Sequence, residues 1–189
     1  MWWHHEQPVP LARIDELGLL EGQIARVVGR AVGLGEDVEA PYSMRKCFAV
    51  TSRMDLMPPA MTADRTGGVQ SVDGPVMLVK FAVEDGAGRI VVDPDAVKLE
   101  LALHVALDKH EVAWGGLDAK PAFGASIINR ELDAIGGTGG MRIALEGVIA
   151  PGDLVAIIGR VQRAGDSWEL VPPDDEKPVI ISRHPEQLV

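Results

Sequence analysis

The stretch Phe81-Ala82-Val83-Glu84-Asp85-Gly86-Ala87-Gly88-Arg89-Ile90-Val91-Val92-Asp93-Pro94 decides the fold class. Two apolar runs flank Asp85-Gly86, and glycine accepts the positive φ that tight hairpin turns require. The stretch reads as a strand, a tight Asp-Gly turn and a second strand. Phe81 is expected in the core, with Asp85-Gly86 at an exposed tip. No evident catalytic group lies in it.

Working outward, more strands follow in both directions. Met77, Val79, Phe81 and Val83 share one face, and Leu78, Lys80, Ala82 and Glu84 the more polar other. Residues 58–75 are rich in Pro and Gly and read as a loop. Cys47 to Met54 is a strand. Gln23 to Val32 is another, and Gly29 inside it marks a bulge or sharp bend. Ile14 to Leu20 fits one or two helical turns. On the other side, Leu99, Leu101, Leu103, Val105 and Leu107 alternate with Lys98, Glu100, Ala102, His104, Ala106 and Asp108. Composition favours helix there, but a period of two predicts a strand over 98–108. Ser126 to Gly136 reads as a short helix with Ser126 as N-cap and Gly136 as stop. Arg142 to Ile149, Leu154 to Gln162, Ser167 to Val171 and Val179 to Ser182 complete the strands. The expected fold is all-β with one or two short helices, a small, partly closed barrel of OB-like order. Residues 1–19 read as an N-terminal tail and short helix, and 20–189 as a single barrel domain.

The chain has 189 residues, 47% of them hydrophobic and 24% charged, with a net charge of −10. That length buries a core without staples. The charge repels nucleic acid and anionic membranes unless a local patch overrides it. The one cysteine, Cys47, excludes an intramolecular disulfide framework and suits a reducing cytoplasm. No apolar run reaches the roughly 18 residues of a spanning helix, and Met1 to Glu6 lacks the pattern of a secretory signal.

Four pieces, in order, carry a family resemblance. Gly29 and Val32 lead to Ala40-Pro41-Tyr42-Ser43 and Cys47. Phe81-x-Val83-Glu84-Asp85-Gly86-x-Gly88 is followed by Val92-Asp93-Pro94 and Ala96. Glu146-x-x-Ile149-x-x-Gly152-Asp153-x-Val155-x-x-x-Gly159-x-Val161 comes next, and Pro178 to Ser182 closes the series. Over roughly residues 22–182 the chain resembles the GIDE-type, or BAM, domain of a membrane-anchored ubiquitin ligase and its bacterial relatives. In the ligase this domain accompanies transmembrane helices and a zinc-binding RING. One cysteine cannot build a RING, so ligase activity is not expected here. The resemblance implies a non-catalytic binding or sensing module with a protein partner or ligand, in a stress, defence or membrane-associated system. Cys47, Phe81, Asp85, Gly86, Gly88, Gly152, Asp153 and Gly159 are its motif positions.

Chemistry beyond the motifs is sparse. His4-His5-Glu6 lies in a terminal tail, and His104 and His110, six residues apart, cannot share a metal unless the chain folds back. Arg45 and Lys46 flank Cys47, and cations lower a thiol's pKa, but no base stands at a recognisable spacing. Gly136-Gly137-Thr138-Gly139-Gly140 lacks the ending of a phosphate loop. No cofactor or metal is expected. The alternative reading is a single-stranded nucleic-acid binder, which OB-like barrels achieve with stacked aromatics in a basic groove. The acidic charge and few aromatics speak against it. Trp2 and Trp3 stand out as an apolar pair at a chain end, expected to dock on the barrel or to contact a partner or a membrane interface.

Overall fold

The computed structural model describes residues 9–57, 70–92, 94, 97–100, 104–105, 141–173 and 179–183. A 3₁₀ helix, Ile14–Leu20, precedes the first long strand, β1 (Ile24–Gly33). Short strands β2 (Val38–Glu39) and β3 (Lys46–Cys47) form a ribbon, and β4 (Ala49–Met57) follows. Next come β5 (Gln70–Asp73), β6 (Met77–Leu78), β7 (Phe81–Glu84), β8 (Arg89–Val92), β9 (Val97–Glu100) and β10 (His104–Val105). The C-terminal strands are β11 (Met141–Ile149), β12 (Leu154–Ala164), β13 (Ser167–Val171) and β14 (Val179–Ser182).

The larger sheet runs β8-β7-β1-β12-β14-β9, with β13 paired to the far end of β12. Strand β13 comes back against β8, so the sheet curls into a nearly closed barrel. The described residues are thus mostly β with one short helix, and the alternation predicts the strands. Period-two patterning explains the interior: Ala25, Val27 and Ala31 of β1 point inward with Val155, Ile157 and Val161 of β12. Phe81 is fully buried and stacks on Phe48, ring centroids 5.5 Å apart. Ile14 and Leu17 of the 3₁₀ helix join the same core. The opposite face of the wall is also covered in places: Ala82, Ala156, Ile158 and Ile180 are buried.

A second sheet runs β10-β11-β4-β5, with β6 also on β4. Its smaller core holds Ala40, Cys47, Val50 and Val148.

Several expected elements are divided differently. The hairpin turn is a four-residue loop, Asp85 to Gly88, because ladder pairing ends at Glu84 and Arg89. The Asp85 carboxylate fills the loop by accepting the Ala87 and Gly88 amides at 2.8 and 3.0 Å. Met77 to Glu84 is two strands: β6 belongs to the second sheet and β7 to the barrel. Cys47 to Met54 also breaks, at Phe48, whose amide donates to Ile149 O and whose ring turns into the barrel. Gln70–Asp73, inside the expected loop, pairs with β4. Over 98–108 the described backbone is strand, as alternation predicts, but shared between sheets: β9 pairs in parallel with β14, and β10 antiparallel with β11. The expected helix at Ser126–Gly136 lies outside the described residues, as do Trp2 and Trp3.

Gly29 accounts for one feature of the barrel wall. A Cβ there would sit 2.4 Å from the Glu84 carbonyl oxygen, so only glycine permits this approach. Strand β7 pairs with β1 only over Arg30 to Gly33. Farther along that edge of β1, the N-terminal segment takes over: Arg26 N donates to Pro10 O and Ala12 N to Arg26 O, both at 2.9 Å.

Candidate functional site

Three acidic side chains from the sequence motifs hold backbone rather than point at solvent. Asp85 accepts Ile14 N at 2.7 Å, besides the Ala87 and Gly88 amides. It thereby caps the start of the 3₁₀ helix, where amides lack partners within the helix. Burial pushes the Asp85 carboxyl up, but the three N–H donors, with Arg13 nearby, outweigh it and hold it below its usual value. Gly88 belongs to the same contact, since a Cβ there would meet Ile14 Cγ2 at 2.6 Å. Gly86, with φ +85, turns the loop at the exposed tip.

Glu146 is buried on β11 and accepts Tyr42 N at 2.5 Å and Ser43 N at 3.0 Å. Two separated motif pieces, Ala40-Pro41-Tyr42-Ser43 and the Glu146 strand, therefore meet at one carboxylate. Cys47 is fully buried in the adjoining core, and its thiol contacts Val38 O at 3.6 Å. Burial first, then the Glu146 charge, pushes that thiol up to about 11, and Arg45 only partly offsets this. The activation that flanking cations suggest in sequence is overruled by desolvation. Tyr42 is shifted upward for the same two reasons. In register, Glu146 stands between Ser52 of β4 and His104 of β10.

Asp153 forms the third anchor. It accepts Ala150 N at 2.8 Å and pairs with Arg183 Nε at 3.3 Å. Gly152, with φ +84, turns the chain, and its amide donates to Ala31 O at 2.8 Å. Gly159 lets β13 approach, since a Cβ there would lie 2.9 Å from Leu170 Cβ. Among the described residues no three His, Cys, Asp or Glu side chains gather as a metal site. None of their helices is long and apolar enough to cross a membrane.

An open groove of about 690 Å³ lies across the outer face of β1. Val28, Arg30 and Val32 form its floor, with Leu154 on one side and Glu84 to Gly86 on the other. Pro151 and Gly152 also line it. Leu154 is 49% exposed. The groove was not foreseen as a site. Its one sequence signal is the outward alternation Val28, Arg30, Val32, which becomes a floor only when β7 and β12 flank it.

No curated protein and no solved structure matches the chain. Residues 77–189 match the model of the GIDE family, described as E3 ubiquitin ligase. These residues include the Asp85 hairpin, the Glu146 strand and the Asp153 turn, and on that match the chain belongs to the GIDE family.

Proposed function

We propose that this chain is a non-catalytic protein-interaction module that uses the outer face of β1. The open groove floored by Val28, Arg30 and Val32 supports the reading. Asp85, Glu146 and Asp153 are engaged with backbone amides, whereas the groove side chains face outward beside the half-exposed Leu154. Apolar side chains around a polar anchor suit a macromolecular contact. The family description connects the module to ubiquitin ligation, and here its part is to bind rather than to transfer. A reducing, cytoplasmic setting belongs to the same reading, with Cys47 kept as a buried thiol.

The test places a photo-crosslinking residue at Leu154 and, as a control, at Leu19, which is 82% exposed outside the groove. In native lysate Leu154 should yield a discrete protein adduct and Leu19 should not. No protein adduct at Leu154 refutes the reading. Ubiquitin transfer by the purified chain with activating and conjugating enzymes would make the module catalytic. Sub-micromolar binding of a single-stranded oligonucleotide in ~150 mM salt would favour the nucleic-acid alternative, because such binding must survive counterion screening.

A further inference from the structure

The groove carries an uneven distribution of charge. Leu154, Arg30, Glu84 and Arg89 stand side by side across β12, β1, β7 and β8. One carboxylate thus lies between two arginines. Glu84 Oε1 is engaged by Arg89, whose Nε donates to it at 2.7 Å. Arg30 turns instead to the Gly152 carbonyl, with Nη1 donating at 2.9 Å. Among the described residues Arg30 has no carboxylate partner. The other groove acid, Asp85, has both oxygens on backbone amides. A chain of net charge −10 therefore presents an available guanidinium on an otherwise apolar floor.

We infer that the groove binds an extended peptide segment of a protein partner with the pattern apolar-x-acidic-x-apolar. The inference rests on the interaction reading above and gives it a ligand chemistry. Val28, Arg30 and Val32 occupy alternate positions of one strand, spaced about 6.6–6.8 Å apart. Alternate residues of a second extended chain have the same spacing, so its apolar side chains meet Val28 and Val32 while its carboxylate meets Arg30. Leu154 flanks the acidic position and covers one side of the ion pair. A planar guanidinium suits a carboxylate, which it can engage through two N–H groups. A polyanion is disfavoured, because one cation offers it little while the net charge repels it.

The probe is an acetylated, amidated pentapeptide with Leu, Glu and Val at positions one, three and five and Ser between them. It is titrated into the ¹⁵N-labelled full chain. Amide shifts should map to Val28–Gly33, Gly86 and Gly152. A peptide with Gln at its centre should bind about fivefold more weakly, the upper range for an exposed ion pair. Arg30→Gln should abolish that preference, and Leu154→Asn should weaken both peptides. Equal affinity for the Glu and Gln peptides, shifts elsewhere, no shifts at millimolar peptide, or a preference that survives Arg30→Gln overturns the inference. If Leu154 still crosslinks to a protein after such a failure, the interaction reading stands and only the peptide chemistry falls.

Discussion

Asp85 and Glu146 perform one task in two regions. Each is a carboxylate that fixes a turn by accepting backbone amides. Asp85 binds amides two and three residues ahead, and also Ile14, 71 residues away in sequence. Glu146 holds Tyr42 from 104 residues away and is buried. A half-buried acid can hand its turn to water when removed. A buried one leaves its amides without partners. The two regions should therefore differ in how much stability one side chain carries.

The largest expected effect is at the buried end. Glu146→Ala leaves the Tyr42 and Ser43 amides without their acceptor, and charged hydrogen bonds contribute about 1.5–3 kcal/mol each. Urea denaturation should show a loss of about 3–5 kcal/mol. A loss under 1 kcal/mol would mean that water reaches this carboxylate and that the regions do not differ.

The next effect is kinetic. Cys47 lies in the Glu146 region with its thiol pushed up to about 11. At pH 8 about one thiol in a thousand is then ionised, against about one in ten for a thiol at the unshifted value near 9. Reaction with Ellman's reagent should be at least a hundredfold slower in the native chain than in urea, with burial slowing it further. Because the folded value is raised, the thiol's contribution to stability is full below the unfolded value. It is lost as pH rises from about 9 to about 11. Equal rates in both states would show that this core opens freely.

Asp85 gives a smaller effect with the opposite pH sign. Asp85→Asn should cost about 2 kcal/mol at neutral pH, within the range for hydrogen bonds to a charged acceptor. The folded carboxyl lies below its usual value, so its contribution is present above the unfolded pKa and is lost as pH falls through the folded one. The gap between wild type and variant should narrow below about pH 4. A gap independent of pH would assign the effect to turn shape rather than charge.

The same contrast explains what could be read in advance. Phe81 and the hairpin follow from alternation and a short turn, and β11 to β14 from apolar runs bounded by turn residues, all of them local signals. The Glu146 tie was hidden because its partners are amides, which every residue carries. The breaks at Phe48 and after Leu78 were hidden because apolar side chains suit either sheet equally. The run Val155 to Ile158 is buried on both faces of the wall, so alternation weakens there and cannot tell inside from outside. The groove floor was written as Val28, Arg30, Val32, but nothing near β1 reveals that Glu84 is engaged by Arg89.

The smallest expected effect on stability tests that last point. Arg89 and Glu84 form an exposed pair at the hairpin, and Lys46 with Asp37 is its counterpart near the Glu146 turn, at 3.5 Å. Exposed pairs contribute roughly 0–1 kcal/mol, since water and side-chain entropy offset the attraction. Arg89→Ala and Lys46→Ala should each shift the melting midpoint by only a few degrees, so on this measure the two regions become alike. They should separate in binding. Without Arg89, the Glu84 carboxylate is free to turn to Arg30, its other cross-strand neighbour. The acidic pentapeptide should then bind more weakly, although Arg89 lies outside the proposed contact, while Lys46→Ala should leave its affinity unchanged. Unchanged affinity in Arg89→Ala would show that Glu84 does not compete for Arg30, and that the charge row is not what frees the guanidinium.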